Sequence, residues 1–319
     1  MIPVRRLLLV AAIATAPCVA AAERSKVLLD TDIGTDIDDA WALGFVVRHD
    51  DFDVLGVTVT DGDTAARARL ALKLLRVAGR DDVPVAVGRA IPVPAERAFE
   101  SRQLEWAEDF TARRPIAKPA ADFVVDVVRK HPGAVTLIAV GPLQNVADAL
   151  RREPRLPQLV RRLVLMSGCI EGWPGKPGPI PEWNVVQAIA DAQLVYGAGF
   201  PLTIVPLDAT MLVQLREDER ERVRERRTPL TSALESLYRL WLKSPASRMT
   251  LHDQLAVAEA ASPGAYFDEI RTLAIRVDDA GVTRVDPAGK PVRVCLGPKR
   301  DLLLDDYLRT LGRVRTARP

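Results

Sequence analysis

The chain has 319 residues, with 44 basic against 42 acidic side chains for a net charge of +2, 48% hydrophobic residues and 27% charged ones. So even a balance leaves no field to hold nucleic acid or an anionic membrane, and the composition is that of a globular protein with a sizeable core. Three cysteines without a CxxC or Cys/His cluster offer neither a disulfide framework nor a zinc site.

The first 22 residues stand apart. Arg5 and Arg6 precede an apolar run over 7–16, and Ala20-Ala21-Ala22 places small side chains before Glu23, the three-part layout of a secretory signal. A membrane anchor fits less well, because Pro17 interrupts the run short of the roughly 18 apolar residues a span needs. The expectation is cleavage of 1–22, export to a periplasm or the medium, no membrane association afterwards, and one domain over 23–319. Cys169 and Cys295 then remain and could pair.

Within that domain, short runs rich in Val, Ile and Leu at 27–29, 54–60, 83–87, 135–140, 163–166 and 202–205 are too apolar to have a wet face. They predict buried parallel strands. Helical patterns at 39–49, 65–78 (stopped by Gly79), 120–130 and 143–151 lie between them. The alternation predicts an α/β fold, a mostly parallel central sheet flanked by helices. Segments 89–119 and 170–181 are long, Pro-containing excursions of the kind that serve as lids or substrate loops. Residues 216–243 predict a helical insertion whose Arg/Glu alternation is a solvated face, and 272–295 an antiparallel hairpin before a last helix.

The chemistry concentrates after the first strand, where Asp30, Asp32, Asp36, Asp38 and Asp39 fall within ten residues. Two unit charges about 5 Å apart repel by roughly 3 kcal/mol at an effective dielectric near 20. Such a cluster folds compactly when protonated, splayed or holding a cation, and oxygen ligands suit Ca²⁺ or Mg²⁺. In a parallel sheet the carboxyl ends of the strands share one edge, where ligands bind. That edge collects Asp30 and Asp32, Asp61 and Asp63, Gly141, Ser167 and Gly168, then Glu182-Trp183-Asn184, and Asp208. Individually these have plainer uses: Asp36 or Asp38 as a helix cap, Asp63 as a helix start, Asn145 as a loop tie. His252-Asp253, one of only three histidines, sits in Leu251-His-Asp-Gln-Leu-Ala256.

The motifs DTDIGTDIDDAWAL from Asp30, VTVTDGDT from Val57, VGPLQN from Val140, MSG from Met166, PEWN from Pro181, PLDAT from Pro206 and LHDQLAVA from Leu251 together resemble the inosine-uridine preferring nucleoside hydrolase family. The likeness runs from about Lys26 to the last helix. It implies a catalytic domain that hydrolyses the N-glycosidic bond of a ribonucleoside, with a bound Ca²⁺ holding the attacking water beneath an oxocarbenium-like transition state. Carried over, it makes Asp32, Asp39, Asp253 and the carbonyl of Val140 the metal ligands and Asp32 also the general base. Asp38, Asp63, Glu182 and Asn184 would grip the sugar hydroxyls, and His252 would face the leaving base as acid. The partner implied is a small-molecule nucleoside, and the family commonly forms dimers or tetramers.

The chain departs from the family pattern in places. Two extra residues separate Gly34 from Asp38-Asp39 and add Asp36; Asp63 stands where Asn is common; Lys176 falls near a usual Asn; Ala188-Ile189 replaces an Asp-Pro. Trp173, Trp183, Tyr238 and Trp241 are candidates to stack on a base or to pack a core. Two other functions compete: a haloacid dehalogenase-type phosphohydrolase, which shares an opening Asp-x-Asp but needs a later acid pair not evident here, and a silent nucleoside- or sugar-binding protein of the periplasm, against which stand Asp32 and His252 together.

Overall fold

The computed structural model describes residues 24–92, 102–242, 244 and 247–313; the predicted signal segment 1–22 lies outside them. The strands are β1 (Ser25–Thr31), β2 (Phe52–Val59), β3 (Val85–Val87), β4 (Val135–Ala139), β5 (Arg162–Met166), a small β6 (Gly172–Trp173) and β7 (Lys176–Pro177), β8 (Leu202–Val205), β9 (Phe267–Val277), β10 (Thr283–Val285) and β11 (Lys290–Pro298). The helices are α1 (Asp38–Arg48), α2 (Thr64–Val77), α3 (Ala120–Lys130), α4 (Gln144–Arg152), α5 (Leu156–Leu159), α6 (Trp183–Val186), α7 (Ile189–Gly197), α8 (Leu207–Thr210), α9 (Glu217–Arg224), α10 (Pro229–Trp241), α11 (His252–Ala261) and α12 (Arg300–Leu311).

Nine strands form one sheet in the order β10-β9-β11-β8-β5-β4-β1-β2-β3. From β3 to β11 the pairings are parallel, and β9 is antiparallel to both its neighbours. The expected mostly parallel sheet is therefore present. Its C-terminal hairpin is larger than the sequence suggested: β11 folds back along the other edge of β9 and joins the meander to β8. That closure depends on pairing with a strand ninety residues earlier, which local alternation does not reveal.

Both sheet faces are covered, which explains the uninterrupted apolar runs. Val27 and Leu29 pack on one side with residues of α1, α2, α10, α11 and α12, while Leu28 faces the other with α3, α4 and α7. Helix α1 is buried along its whole length. With Trp41-Ala-Leu-Gly-Phe-Val-Val47 apolar around the cylinder, no face of it suits water. Trp41 Nε1 donates to the Leu234 carbonyl at 3.2 Å, and Phe45 meets Tyr307 edge-on at 5.0 Å between ring centres. The polar N-terminus of α1, with Asp38 and Asp39, is carried into the interior by this packing.

The predicted insertion is α9 and α10, and α9 carries the pairs Glu217–Arg220 and Glu221–Arg224 expected of a solvated face. Cys169 and Cys295 are buried and unpaired. No helix among the described residues is long and apolar enough to cross a membrane.

Because α1 is the buried axis of one core layer, Phe45→Ala should destabilise the fold by about 3–5 kcal/mol. The half-exposed Leu302→Ala on α12 should stay within about 0.5 kcal/mol. Urea denaturation followed by far-UV circular dichroism measures both; similar midpoints for the two variants would contradict a central role for α1.

Candidate active site

The carboxyl ends of β1, β4 and β5 and the N-termini of α1 and α11 meet at one cavity of about 200 Å³. That is the scale of a small molecule, several times the ~30 Å³ share of one water. Asp32 and Thr35 reach it from the turn after β1, Asp36 from the approach to α1, Asp38 and Asp39 from the first turn of α1. Val140 and Met166 come from the ends of β4 and β5, Glu182, Trp183 and Asn184 from the entry to α6, Leu207 from α8, and His252 and Asp253 from the start of α11. Close approach of backbone is required at Gly141, where a Cβ would lie 2.8 Å from both the amide nitrogen and Oδ1 of Asp32. Gly34, at φ +102°, turns the chain from β1 toward α1 in a conformation that disfavours side chains.

The floor of the cavity is acidic. One carboxylate oxygen from each of Asp38, Asp39 and Asp253 lies within 4.8 Å of the others, and all three residues are buried. Burial raises all three carboxyls well above the usual range, and neighbouring carboxylates push further: Asp36 on Asp38, Asp32 on Asp39, Asp38 on Asp253. Burial likewise holds Asp32 at about 6 despite the Arg67 guanidinium beside it. Thr31 donates to Asp39, and the Asp253 amide donates to Asp38 Oδ2 at 3.3 Å. Hard oxygen donors without a thiol, crowded and undercompensated, fit a divalent cation such as Ca²⁺ or Mg²⁺. The Val140 carbonyl adds a neutral oxygen at the same cavity, and accepts from Asn184 Nδ2 at 2.7 Å.

The rest of the lining includes further polar groups. Glu182 caps α6 by accepting from the amide of Asn184 at 2.8 Å and also accepts from that of Gly168 at 3.1 Å, while burial raises it to about 7. Asn184 Nδ2 is used on the carbonyls of Val140 and Met166, which turns Oδ1 into its acceptor for a hydroxyl. His252 is held by a 2.7 Å contact between Nδ1 and Thr210 Oγ1, and burial pushes it down to about 4.

Of the residues singled out from the sequence, the cavity gathers Asp32, Asp38, Asp39, Val140, Glu182, Asn184, His252 and Asp253. Asp63 is not among them. It is exposed and caps α2 through Ala66 N at 2.9 Å, so the expected sugar contact is replaced by the plainer helix-start role. Asp208 also lies off the cavity wall, accepting from the amides of Ile170 and Glu171 at 2.8 and 2.6 Å. Asn145 ties β1 to β2, donating to Asp30 Oδ1 at 2.7 Å and the Val59 carbonyl at 3.1 Å. Of the aromatic candidates, Trp183 lines the cavity, whereas Tyr238 and Trp241 pack in the core beside Trp41.

Sequence reasoning missed Arg67 and Thr210. The Arg67 guanidinium is buried and donates to the carbonyls of Asp32, Ile33 and Asp61, clamping the ends of β1 and β2 together. An arginine in an Arg/Ala-rich helix reads as exposed; only its i+6 spacing from Asp61 hints otherwise.

The family model for inosine-uridine preferring nucleoside hydrolases matches residues 27–305. Curated relatives include uridine nucleosidase 1 of Arabidopsis thaliana, 28% identical over 86% of this chain and 81% of the relative. Another is the pyrimidine-specific ribonucleoside hydrolase RihA of Shewanella oneidensis, 28% identical over 90% and 96%. Among solved structures, a plant nucleoside hydrolase superposes with a TM-score of 0.80 at 23% identity, covering 90% of this chain and 99% of that one. The Bacillus anthracis inosine-uridine preferring nucleoside hydrolase gives 0.76 at 22%, again over 90% and 99%.

The acidic floor makes stability pH-dependent in a definite direction. Asp30, Asp32 and Glu182 keep a proton in the folded chain to about 6 to 7, while their unfolded counterparts ionise near pH 4. The folded state then binds more protons between those limits, so stability falls as pH rises through them. With a chelator present, the thermal midpoint should drop between about pH 5 and about pH 8, and millimolar Ca²⁺ should recover more of it at the higher pH. A midpoint that climbs over that range under chelation, or is indifferent to Ca²⁺ at both ends, would contradict the cation reading.

Proposed function

Because the chain belongs to the inosine-uridine preferring nucleoside hydrolase family, whose members hydrolyse the N-glycosidic bond of ribonucleosides, we propose that it is a Ca²⁺-dependent ribonucleosidase releasing free base and ribose. The observation that carries this reading is the convergence of Asp32, Asp38, Asp39, Val140, Glu182, Asn184, His252 and Asp253 on one cavity. Seven of these bear polar side chains drawn from distant parts of the sequence. A silent binding protein would not need both a candidate base and an imidazole in that cavity.

Asp39 and Asp253, which the structure brings together with Asp38, would hold the cation with Asp32 and the Val140 carbonyl, which line the same cavity. A bound Ca²⁺ would neutralise the floor and supply Lewis acidity toward a water. Asp32 is placed to act as general base, taking a proton from the water that attacks the anomeric carbon. The bond to the base breaks with its electron pair leaving on the base, and the ribosyl ring becomes cationic. Asp38 and Glu182 stabilise that charge and, with Asn184 Oδ1, accept from the sugar hydroxyls, which fixes the ring relative to the water. Attack from the floor, opposite the departing base, predicts inversion at the anomeric carbon. His252 stands at the base end. The layout of the N-terminal segment 1–22 supports export of the enzyme.

Uridine nucleosidases and a pyrimidine-specific hydrolase among the relatives make uridine the first substrate to try. Pure protein incubated with a nucleoside panel, with and without chelator, should release reducing sugar only without it. Turnover that survives exhaustive chelation would remove the cation from the mechanism, and tight binding without turnover would favour a binding protein. Asp32→Asn, assayed at saturating Ca²⁺ on p-nitrophenyl riboside, should lower kcat by roughly 10²–10⁴-fold. A near wild-type rate would show that Asp32 is not the base.

A further inference from the structure

We propose that Thr210 fixes the tautomer of His252, keeping the imidazole hydrogen on Nε2, so that the cavity presents a hydrogen-bond donor to the departing base. Thr210 ends the single-turn helix α8 and is fully buried. Its Oγ1 lies 2.7 Å from His252 Nδ1. A threonine in a helix ordinarily turns its hydroxyl hydrogen to the carbonyl four residues back. Here that carbonyl, of Pro206, already accepts the amides of Ala209 at 3.0 Å and Thr210 at 3.1 Å.

Two arrangements of one proton are conceivable. If Nδ1 carried the hydrogen and donated to Oγ1, the hydroxyl hydrogen of Thr210 would be buried without an acceptor among the described residues, a state folded proteins avoid. If Oγ1 donates to Nδ1, both groups are satisfied and the neutral ring must carry its hydrogen on Nε2. Nε2 has no hydrogen-bond partner among the described residues, and the His252 side chain lines the cavity. The chemistry it recognises is an acceptor: a ring nitrogen or carbonyl oxygen of a nucleobase that gains negative charge as the glycosidic bond breaks.

This deepens the ribonucleosidase reading and rests on it for its consequence. Held this way, Nε2–H faces the departing base and offsets by hydrogen bonding the negative charge that develops on it. Thr210 is a positioning residue acting through His252.

The test begins on the full chain with Ca²⁺, labelled with ¹⁵N-histidine; His49, His131 and His252 are its histidines, and His252→Gln identifies the signal by its loss. At neutral pH, Nδ1 of His252 should resonate in the unprotonated range and Nε2 in the protonated range. The reverse pattern overturns the proposal. This readout decides the tautomer whether or not any nucleoside tried is hydrolysed, so its failure is distinct from failure of the functional reading. In kinetics, Thr210→Val should lower kcat on natural nucleosides roughly 10–100-fold, the range for losing a partner that orients a functional imidazole. It should leave p-nitrophenyl riboside nearly unaffected, because that leaving group needs no assistance. Thr210→Ser, which restores the donor, should keep most of the activity. Equal losses on both substrates, or a Ser variant as poor as the Val variant, would overturn the role.

Discussion

The carboxylates of Asp38, Asp39 and Asp253 come within 4.8 Å of one another inside the protein, where each pair of negative charges repels by roughly 3 kcal/mol at an effective dielectric near 20. They are there because of where their helices must go. Helix α1 is apolar around its circumference and is buried throughout, so its first turn cannot reach solvent. Helix α11 packs against it with all but its first and last residues buried. Two helix N-termini thus point at the same spot, and their dipoles offset part of the charge. The remainder is what a divalent cation neutralises.

Around this core of charge lies a set of neutral and cationic clamps that hold the acids still. Thr31 holds Asp39, and Thr58 and Asn145 hold Asp30. Gln144 accepts from Thr60 at 2.7 Å and donates to Asp61 at 3.3 Å, while Arg67 binds the carbonyls that end β1 and β2. Arg67 spends its donors chiefly on backbone, so it fixes geometry without occupying the carboxylate oxygens that face the cavity. An acidic pocket coexists with a near-neutral chain because many basic side chains among the described residues pair with acids outside the cavity, as Arg102 with Glu105 and Arg276 with Asp286.

Much of this was legible in the sequence, and for physical reasons. A run such as Val27-Leu-Leu29 followed by Asp-x-Asp can only be a buried strand delivering acids to the sheet edge, and the strand-end rule then gathers Glu182, Asn184 and the segment after Val140. What escaped was whatever depends on contacts distant in sequence. Asp63 and Asp61 are two residues apart; which one turns inward is decided by the left-handed backbone at Asp61 and by Arg67, not by composition. Thr210 sits in the Pro-Leu-Asp-Ala-Thr motif, but its side chain's part appears only when α11 is placed beside it. The parallel pairing of the last meander strand, β11, with β8 was hidden for the same reason.

Helix α8 is a single turn, yet two of its side chains look in different directions. Asp208 grasps the amides that begin the loop delivering Glu182 and Asn184, which Glu171 further pins to Arg271 through two contacts of 2.7 and 2.9 Å. Thr210, two residues on, grasps the imidazole. The segment carrying Glu182 and Asn184 and the His252 imidazole therefore share one mechanical abutment, and neither can be re-aimed through that turn without tugging the other.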